Sequence, residues 1–108
     1  MTVHEFANAG QFNILCCPEP EREINGAYIG DLLSWVMGKA QCDNVWITIM
    51  SNINVIAVAS LSDVSCILLA ENVTLDEEVL ATAKQKGINI LSTHLAAYEA
   101  AVKVSGMI

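Results

Sequence analysis

Val45-Trp46-Ile47-Thr48-Ile49-Met50-Ser51-Asn52-Ile53-Asn54-Val55-Ile56-Ala57-Val58-Ala59-Ser60-Leu61-Ser62-Asp63-Val64-Ser65-Cys66-Ile67-Leu68-Leu69-Ala70 is the most apolar part of the chain and holds a single charge, Asp63. A hydropathy window alone reads it as a membrane span. Ser51, Asn52, Asn54, Ser60 and Ser62 interrupt the run and divide it into pieces of different character. Residues 45–50 are rich in β-branched and aromatic side chains and predict a strand. Ser51-Asn52 turns the chain into a helix from about 53 to 61, apolar nearly all round and therefore well buried. Residues 64–70 predict a second strand, and their unbroken apolar character is that of a strand covered on both faces. Strand, turn, helix, strand is the repeating unit of a parallel sheet, and this reading displaces the membrane one.

The alternation continues outward from this unit. Toward the N-terminus, a short helix is predicted over Val3–Asn8, stopped near Gly10, followed by a strand over Phe12–Cys16. Pro18-Glu19-Pro20-Glu21-Arg22-Glu23 reads as an acidic, solvated loop, too short for a domain linker. Residues 24–29 can form a strand that Gly26 and Gly30 weaken. Asp31 is placed to cap a helix over 32–37, with Gly38 ending it. Toward the C-terminus, Thr74 and Glu77 match a capping box for an amphipathic helix over 75–86. Lys84 and Lys86 complement its dipole and Gly87 closes it. A short strand over 88–91 follows, then a final helix to about 104 capped by Ser92 or Thr93. The expected organisation is one domain over residues 1–108. Its fold class is α/β, a three-layer α/β/α arrangement with a mostly parallel sheet of about five strands and right-handed crossovers. The order of the strands is not encoded in the pattern.

Composition narrows the function classes. Hydrophobic residues are 54% of the 108 and charged residues 16%, which excludes intrinsic disorder. Twelve acidic against five basic side chains give a net charge of −7, which argues against nucleic acid and anionic membrane as partners. The first ten residues carry His4 and Glu5 and lack the basic start of a signal peptide, so the expected compartment is the cytoplasm. The cysteines agree: Cys16 and Cys17 are adjacent, Cys42 and Cys66 stand alone, and no CxxC spacing exists. Cys66 reads as a buried small hydrophobe. His4 and His94 share no ligand spacing with each other or with a cysteine, so neither a metal nor a cofactor is expected. Trp35 lies at helical spacing from Leu32, which places it in the core; the alternative for it is a subunit interface. A chain of this size has too much surface to hide so much apolar material alone, and a homodimer is the commonest remedy.

In open α/β sheets ligands bind beyond the carboxyl ends of the strands. The chain places Gly30, Asp31 and Ser34 after its second strand, and Ser51, Asn52 and Asn54 after its third. Glu71 and Asn72 follow the fourth, and Ser92, Thr93 and His94 the fifth. The ligand-binding candidates are Asp31, Ser34, Ser51, Asn52, Glu71, Asn72, Thr93 and His94, beside helix N-termini that suit an anion. A plainer reading competes at each: Asp31, Asn52 and Thr93 are ordinary helix caps, and Glu71 is a solvated edge carboxylate. The one Gly-Lys pair, Gly38-Lys39, lacks the rest of a phosphate loop. GxGxxG, GxSxG and HExxH are absent, and no Cys/His arrangement suggests a nucleophile and base. No catalytic residue is assigned.

Three segments carry a family resemblance: Tyr28-Ile29-Gly30-Asp31-Leu32-Leu33-Ser34-Trp35-Val36-Met37-Gly38, Val45-Trp46-Ile47-Thr48 and Val55-Ile56-Ala57-Val58-Ala59-Ser60-Leu61. With the tail Lys86-Gly87-Ile88-Asn89-Ile90-Leu91-Ser92-Thr93, the chain resembles the DRTGG domain family. More distantly it is similar to the N-terminal domain of HPr kinase/phosphorylase. The resemblance implies a three-layer α/β regulatory or ligand-sensing module that often dimerises. In larger proteins such a module accompanies CBS domains in regulated pyrophosphatases or precedes phosphotransacetylase catalytic domains. Short members are often labelled serine-kinase-like, but the kinase half is not in this chain and the label would imply no activity here. The family signature has Asp-Arg after one strand and Thr-Gly-Gly after the next. The corresponding places read Ser51-Asn52 and Ala70-Glu71-Asn72.

The residues leave three readings open. The first is a non-catalytic regulatory homodimer that binds a small anionic or nucleotide-like ligand at the strand carboxyl ends. The second is a ligand-free protein-interaction or scaffolding subunit. The third is a small enzyme using Glu71, Asp31 or His94 as acid or base, which needs two of them within reach of one substrate atom.

Overall fold

Residues 45–48 and 66–69 point their side chains alternately into two separate cores, which is why neither stretch alternates apolar with polar. The computed structural model describes residues 1–108. It runs α1 (Val3–Gly10), β1 (Asn13–Cys16), β2 (Ala27–Ile29), α2 (Leu33–Lys39), β3 (Val45–Thr48), α3 (Asn54–Ser62), β4 (Cys66–Leu69), α4 (Glu77–Gln85), β5 (Ile90–Ser92) and α5 (Ala97–Ser105). Val45 and Ile47 of β3, Cys66 and Leu68 of β4 and Leu91 of β5 join one core with Val3 and Phe6 of α1 and Ala100 and Val104 of α5. Trp46, Ile67, Leu69 and Ile90 face the other way and join Val36 of α2, Ile56 and Val58 of α3 and Ala83 of α4. Trp46 is fully buried, and its indole N–H donates to the Gly30 carbonyl at 2.9 Å, so its burial leaves no polar atom unpaired.

The five strands lie in the order β1-β5-β4-β3-β2. β2, β3, β4 and β5 are parallel to their neighbours, and β1 runs antiparallel to β5 at one edge. The sheet is thus mostly parallel and covered on both faces, as expected. Each crossover from β2 through β5 steps to the adjacent strand with its helix on the same face, so all share one hand. α1 and α5 cover the other face. No helix is long and apolar enough to cross a membrane.

The loop over 18–23 is less free than its composition implies. Its side chains are largely solvated, but its backbone is tied beneath the amino ends of the parallel strands. The buried Asn89 side chain donates to the Glu19 carbonyl at 2.8 Å and the Ser65 carbonyl at 3.0 Å, and accepts from the Glu19 N–H at 2.9 Å. Val3 and His4 at the start of α1 donate to the Arg22 and Pro20 carbonyls. The Arg22 guanidinium bridges Asp43 at 3.1 Å and Asp63 at 2.8 Å, in the turns before β3 and β4. Burial opposes the charge on Arg22, but hydrogen bonds to Asp63 and Asp43 outweigh it and hold the group protonated more firmly than usual. The Asp63 carboxyl is held below its ordinary range, first by the Cys42 thiol and then by Arg22. The segment is therefore a strap.

Several helix starts differ from expectation, Asp31 because its carboxylate bonds to Thr48 and Ile49 instead, the others because the helices begin later in the chain. Asp31 does not cap α2, whose N-cap is Leu32 with no side-chain bond. α2 also runs through Gly38 rather than ending there. Thr74 and Glu77 form no capping box, because α4 begins at Glu77 with Asp76 as its N-cap. Neither Ser92 nor Thr93 caps α5, which starts at Ala97. The capping box the chain does contain is Thr2–Glu5 at α1. Trp35 is 59% exposed, not in the core. The inward residues of α2 are Leu33 and Val36, which puts Leu32 and Trp35 on its outer face, with Lys39 Nζ 5.0 Å from the Trp35 ring centroid.

Candidate functional site

After β4 the chain leaves toward α4 on one face of the sheet, and after the adjacent β5 it leaves toward α5 on the other. This parting of neighbouring strands is the place where open α/β sheets form a crevice. Two backbone hydrogen bonds lace its base: the Glu71 N–H donates to the Leu95 carbonyl at 2.8 Å, and the Asn72 N–H to the Thr93 carbonyl at 2.9 Å. To make them, Glu71 and Asn72 both adopt left-handed backbone, with φ of 60° and 58°. Successive non-glycine residues there are costly, roughly 1–2 kcal/mol for a residue such as Glu and less for Asn. The backbone shape asks for glycine, and the chain keeps the shape without it.

The other sequence candidates sort around this point. Asp31 Oδ1 accepts from the Thr48 hydroxyl at 2.8 Å and from the Ile49 N–H at 3.0 Å, tying the β2–α2 turn to the end of β3. The Thr48 carbonyl in turn accepts from Ala70 N–H at 3.0 Å, so a bonded row runs from Asp31 across β3 and β4 to Glu71. Asn52 Oδ1 accepts from the Asn54 N–H at 2.9 Å and shapes the entry to α3. Thr93 is buried; its hydroxyl accepts from the Leu95 N–H at 3.2 Å. Glu71, Asn72, Thr93 and His94 come together at the crevice, with the Glu71, Asn72 and His94 side chains exposed on its rim. Ser34 is exposed on α2 and Ser51 is exposed ahead of α3; neither side chain bonds to this group. No hydrogen bond joins Asp31, Glu71 and His94 to one another.

Charge separates along the strand axis. The loops at the carboxyl ends, 30–32, 49–53, 70–76 and 93–96, contain Asp31, Glu71 and Asp76 but no lysine or arginine. Lys39, Lys84 and Lys86 sit where α2 and α4 end, back at the starts of the following strands, and Arg22 is in the strap. The one well-formed groove is also away from the carboxyl ends. It measures about 410 Å³ and lies between residues 14–18, in and just after β1, and Leu80, Ala81 and Lys84 of α4. Sequence reasoning did not find it, and no motif marks it.

Comparison with known proteins agrees with this architecture. Among solved structures, the chain is similar to the CBS and DRTGG domains of the regulatory region of Clostridium perfringens pyrophosphatase, a structure complexed with the activator diadenosine tetraphosphate. The TM-score is 0.71 at 12% identity, covering 95% of this chain and 45% of that one. The chain therefore spans less than half of that relative's length, and the likeness is one of fold. Comparison with curated proteins finds no match. The family model of the DRTGG domain matches residues 13–107. The match covers the whole sheet and all helices but α1: the chain belongs to the DRTGG domain family.

Proposed function

We propose that this chain is a non-catalytic regulatory module that senses a small nucleotide-like ligand at the carboxyl ends of β3, β4 and β5 and acts as a homodimer. The observation that carries the reading is the left-handed Glu71-Asn72 pair at the crevice. Strained backbone is retained where function needs its shape, and here it lies where the strand connections part. The similar pyrophosphatase regulatory region, complexed with a dinucleotide activator, supports the ligand class. With carboxylates and no cationic side chain in the loops, a polyphosphate would reach this end as its magnesium complex, facing Asp31 and Glu71. Asp31 is already engaged by Thr48 and Ile49, which suits a positioning role rather than that of acid or base. Four free cysteines suit a reducing compartment such as the cytoplasm.

The dimer reading rests on the β2 side of the molecule. β2 is a free sheet edge, and exposed apolar side chains flank it on both faces: Ile29 on the strand, Leu32 and Trp35 on α2, Ile49 after β3, and Tyr98 and Val102 on α5. Such a side is covered by another protein surface. The same surface favours the second reading, a ligand-free scaffolding subunit.

Thermal unfolding decides between them when run with nucleotides and sugar phosphates, with and without magnesium, at several chain concentrations. A ligand at 100 times its Kd adds about 2.7 kcal/mol. A shift that needs magnesium and disappears in Asp31→Asn or Glu71→Gln supports the sensor. No shift with any compound, with a midpoint that rises with chain concentration, leaves the scaffold. Trp35→Glu is expected to abolish that concentration dependence without unfolding the chain; an unchanged dependence contradicts the β2-side interface.

A further inference from the structure

We infer that the groove between β1 and α4 is a second binding site, for a small monocarboxylate with an apolar body. It lies at the end of the sheet opposite to the site proposed above and is tested separately. Its shape comes from an irregularity in β1. Asn13 pairs with Ser92, Ile14 with Leu91 and Cys16 with Ile90, so Leu15 is an extra residue in the edge strand. The extra residue turns Leu15 and Cys16 to the same side, where both pack on the core that includes α4. Cys17 goes to the opposite core. A regular strand would have sent Leu15 and Cys16 to different faces. The result is a cleft of about 410 Å³ along the outer edge of β1, walled by Leu80 and Ala81. That volume falls in the range of small-molecule sites, and six of the eight lining residues are hydrophobic.

One charged side chain sets the chemistry. Lys84 stands at the groove and, like the other lysines of the chain, makes no ion pair; it is the only charged side chain that lines the groove. Burial pushes the Cys16 thiol above its ordinary range, and the nearby Lys84 ammonium offsets this in part. Glu19, the strap carboxylate next to the groove, lies against Gly87 instead of bonding to Lys84. An apolar trough with one unpaired cation complements a ligand with an apolar tail and one negative headgroup. The bulge and Pro18 blunt the strand edge, which disfavours an added peptide strand and leaves a compact ligand as the occupant.

Octanoate is the probe, followed by backbone amide shifts in heteronuclear NMR spectra, with 1-octanol as the uncharged control. The expected result is saturable shifts at Ile14, Leu80, Ala81 and Lys84 with octanoate, and weaker binding of octanol. Lys84→Gln is expected to weaken octanoate binding by about fivefold, the scale of one partly exposed ion pair. Ala81→Trp, which fills the trough, is expected to abolish binding while leaving shifts elsewhere in the spectrum in place. The absence of saturable shifts up to millimolar octanoate overturns the inference. So does binding that neither substitution alters. Equal affinity for octanol and octanoate overturns the role of Lys84.

Discussion

Replacing Glu71 by glycine is expected to stabilise the fold. Glu71 has φ of 60°, its side chain is exposed, and it makes no side-chain hydrogen bond, so truncation removes no contact. An ordinary L-residue in left-handed backbone costs roughly 1–2 kcal/mol. Glycine escapes that cost but gives the unfolded chain about 0.5–1 kcal/mol of extra freedom. The difference leaves Glu71→Gly more stable by about 0.5–1 kcal/mol. The bond from residue 71 N–H to the Leu95 carbonyl survives, because it is backbone to backbone. Asn tolerates left-handed backbone, so Asn72→Gly is expected to be near neutral. Glu71→Ala keeps its Cβ and gains nothing. The assay is equilibrium urea unfolding, in which the midpoint moves and the slope m does not. In a thermal scan the same gain appears as a rise of about 2–8 °C. A neutral or destabilising Glu71→Gly with unchanged m refutes the strain argument, as does an equal gain from Glu71→Ala. If the carboxylate is retained for a ligand, the more stable variant also binds that ligand more weakly.

Three further substitutions, one of them read in a pH scan, probe the rest of the frame. Asn89→Ala removes three hydrogen bonds that tie the strap to the sheet. It is expected to cost about 2–4 kcal/mol in chemical denaturation, and a cost within experimental error shows that the strap is incidental. Asp31→Ala is expected to lower stability by about 1–2 kcal/mol through its two lost bonds and to speed amide exchange at Ile49; unchanged exchange contradicts the tie. Burial pushes the Cys66 thiol well above its ordinary value of 9.0, so it stays protonated in the fold after unfolded thiols ionise. A raised native value means that the stabilising contribution is complete below about pH 9 and is lost as pH rises, at about 1.4 kcal/mol per pH unit for this thiol. Cys66→Ala should flatten that alkaline slope relative to the parent, and an unchanged slope assigns it to other groups.

What the sequence made legible, and what it hid, follows physical lines. β3 and β4 were readable because strands covered on both faces carry no polar residue, as Val45–Thr48 and Cys66–Leu69 nearly satisfy. Strand order was not, because it depends on which apolar faces meet and not on any local pattern. Helix caps misled for a similar reason. A carboxylate such as Asp31 looks the same whether it serves its own helix or, as here, the Thr48 hydroxyl and Ile49 N–H of the next strand. Thr2–Glu5 carried the capping-box signal as plainly as Thr74–Glu77, and only the position of each helix start separates them. The spacing of Leu32 and Trp35 correctly put them on one helix face, but periodicity does not say which face is inward. Topology alone predicts that the segments after β4 and β5 lie side by side, and backbone bonds do bring Glu71 and Asn72 to Thr93 and Leu95, while Ser34 and Ser51 stay apart from them. The left-handed backbone that joins them was hidden because neither Glu71 nor Asn72 is glycine. The groove was hidden because it arises from one extra residue in β1, which leaves no mark on composition.

The most direct test of the central claim is a map of backbone amide shifts on titration with magnesium-ATP and magnesium-diadenosine tetraphosphate. The sensor account expects saturable shifts concentrated at Asp31, Asn52, Glu71, Asn72 and His94, lost in Asp31→Asn and when magnesium is removed. An unshifted spectrum at millimolar nucleotide, or shifts confined to the amino end around the strap and Lys84, contradicts a ligand site at the strand carboxyl ends.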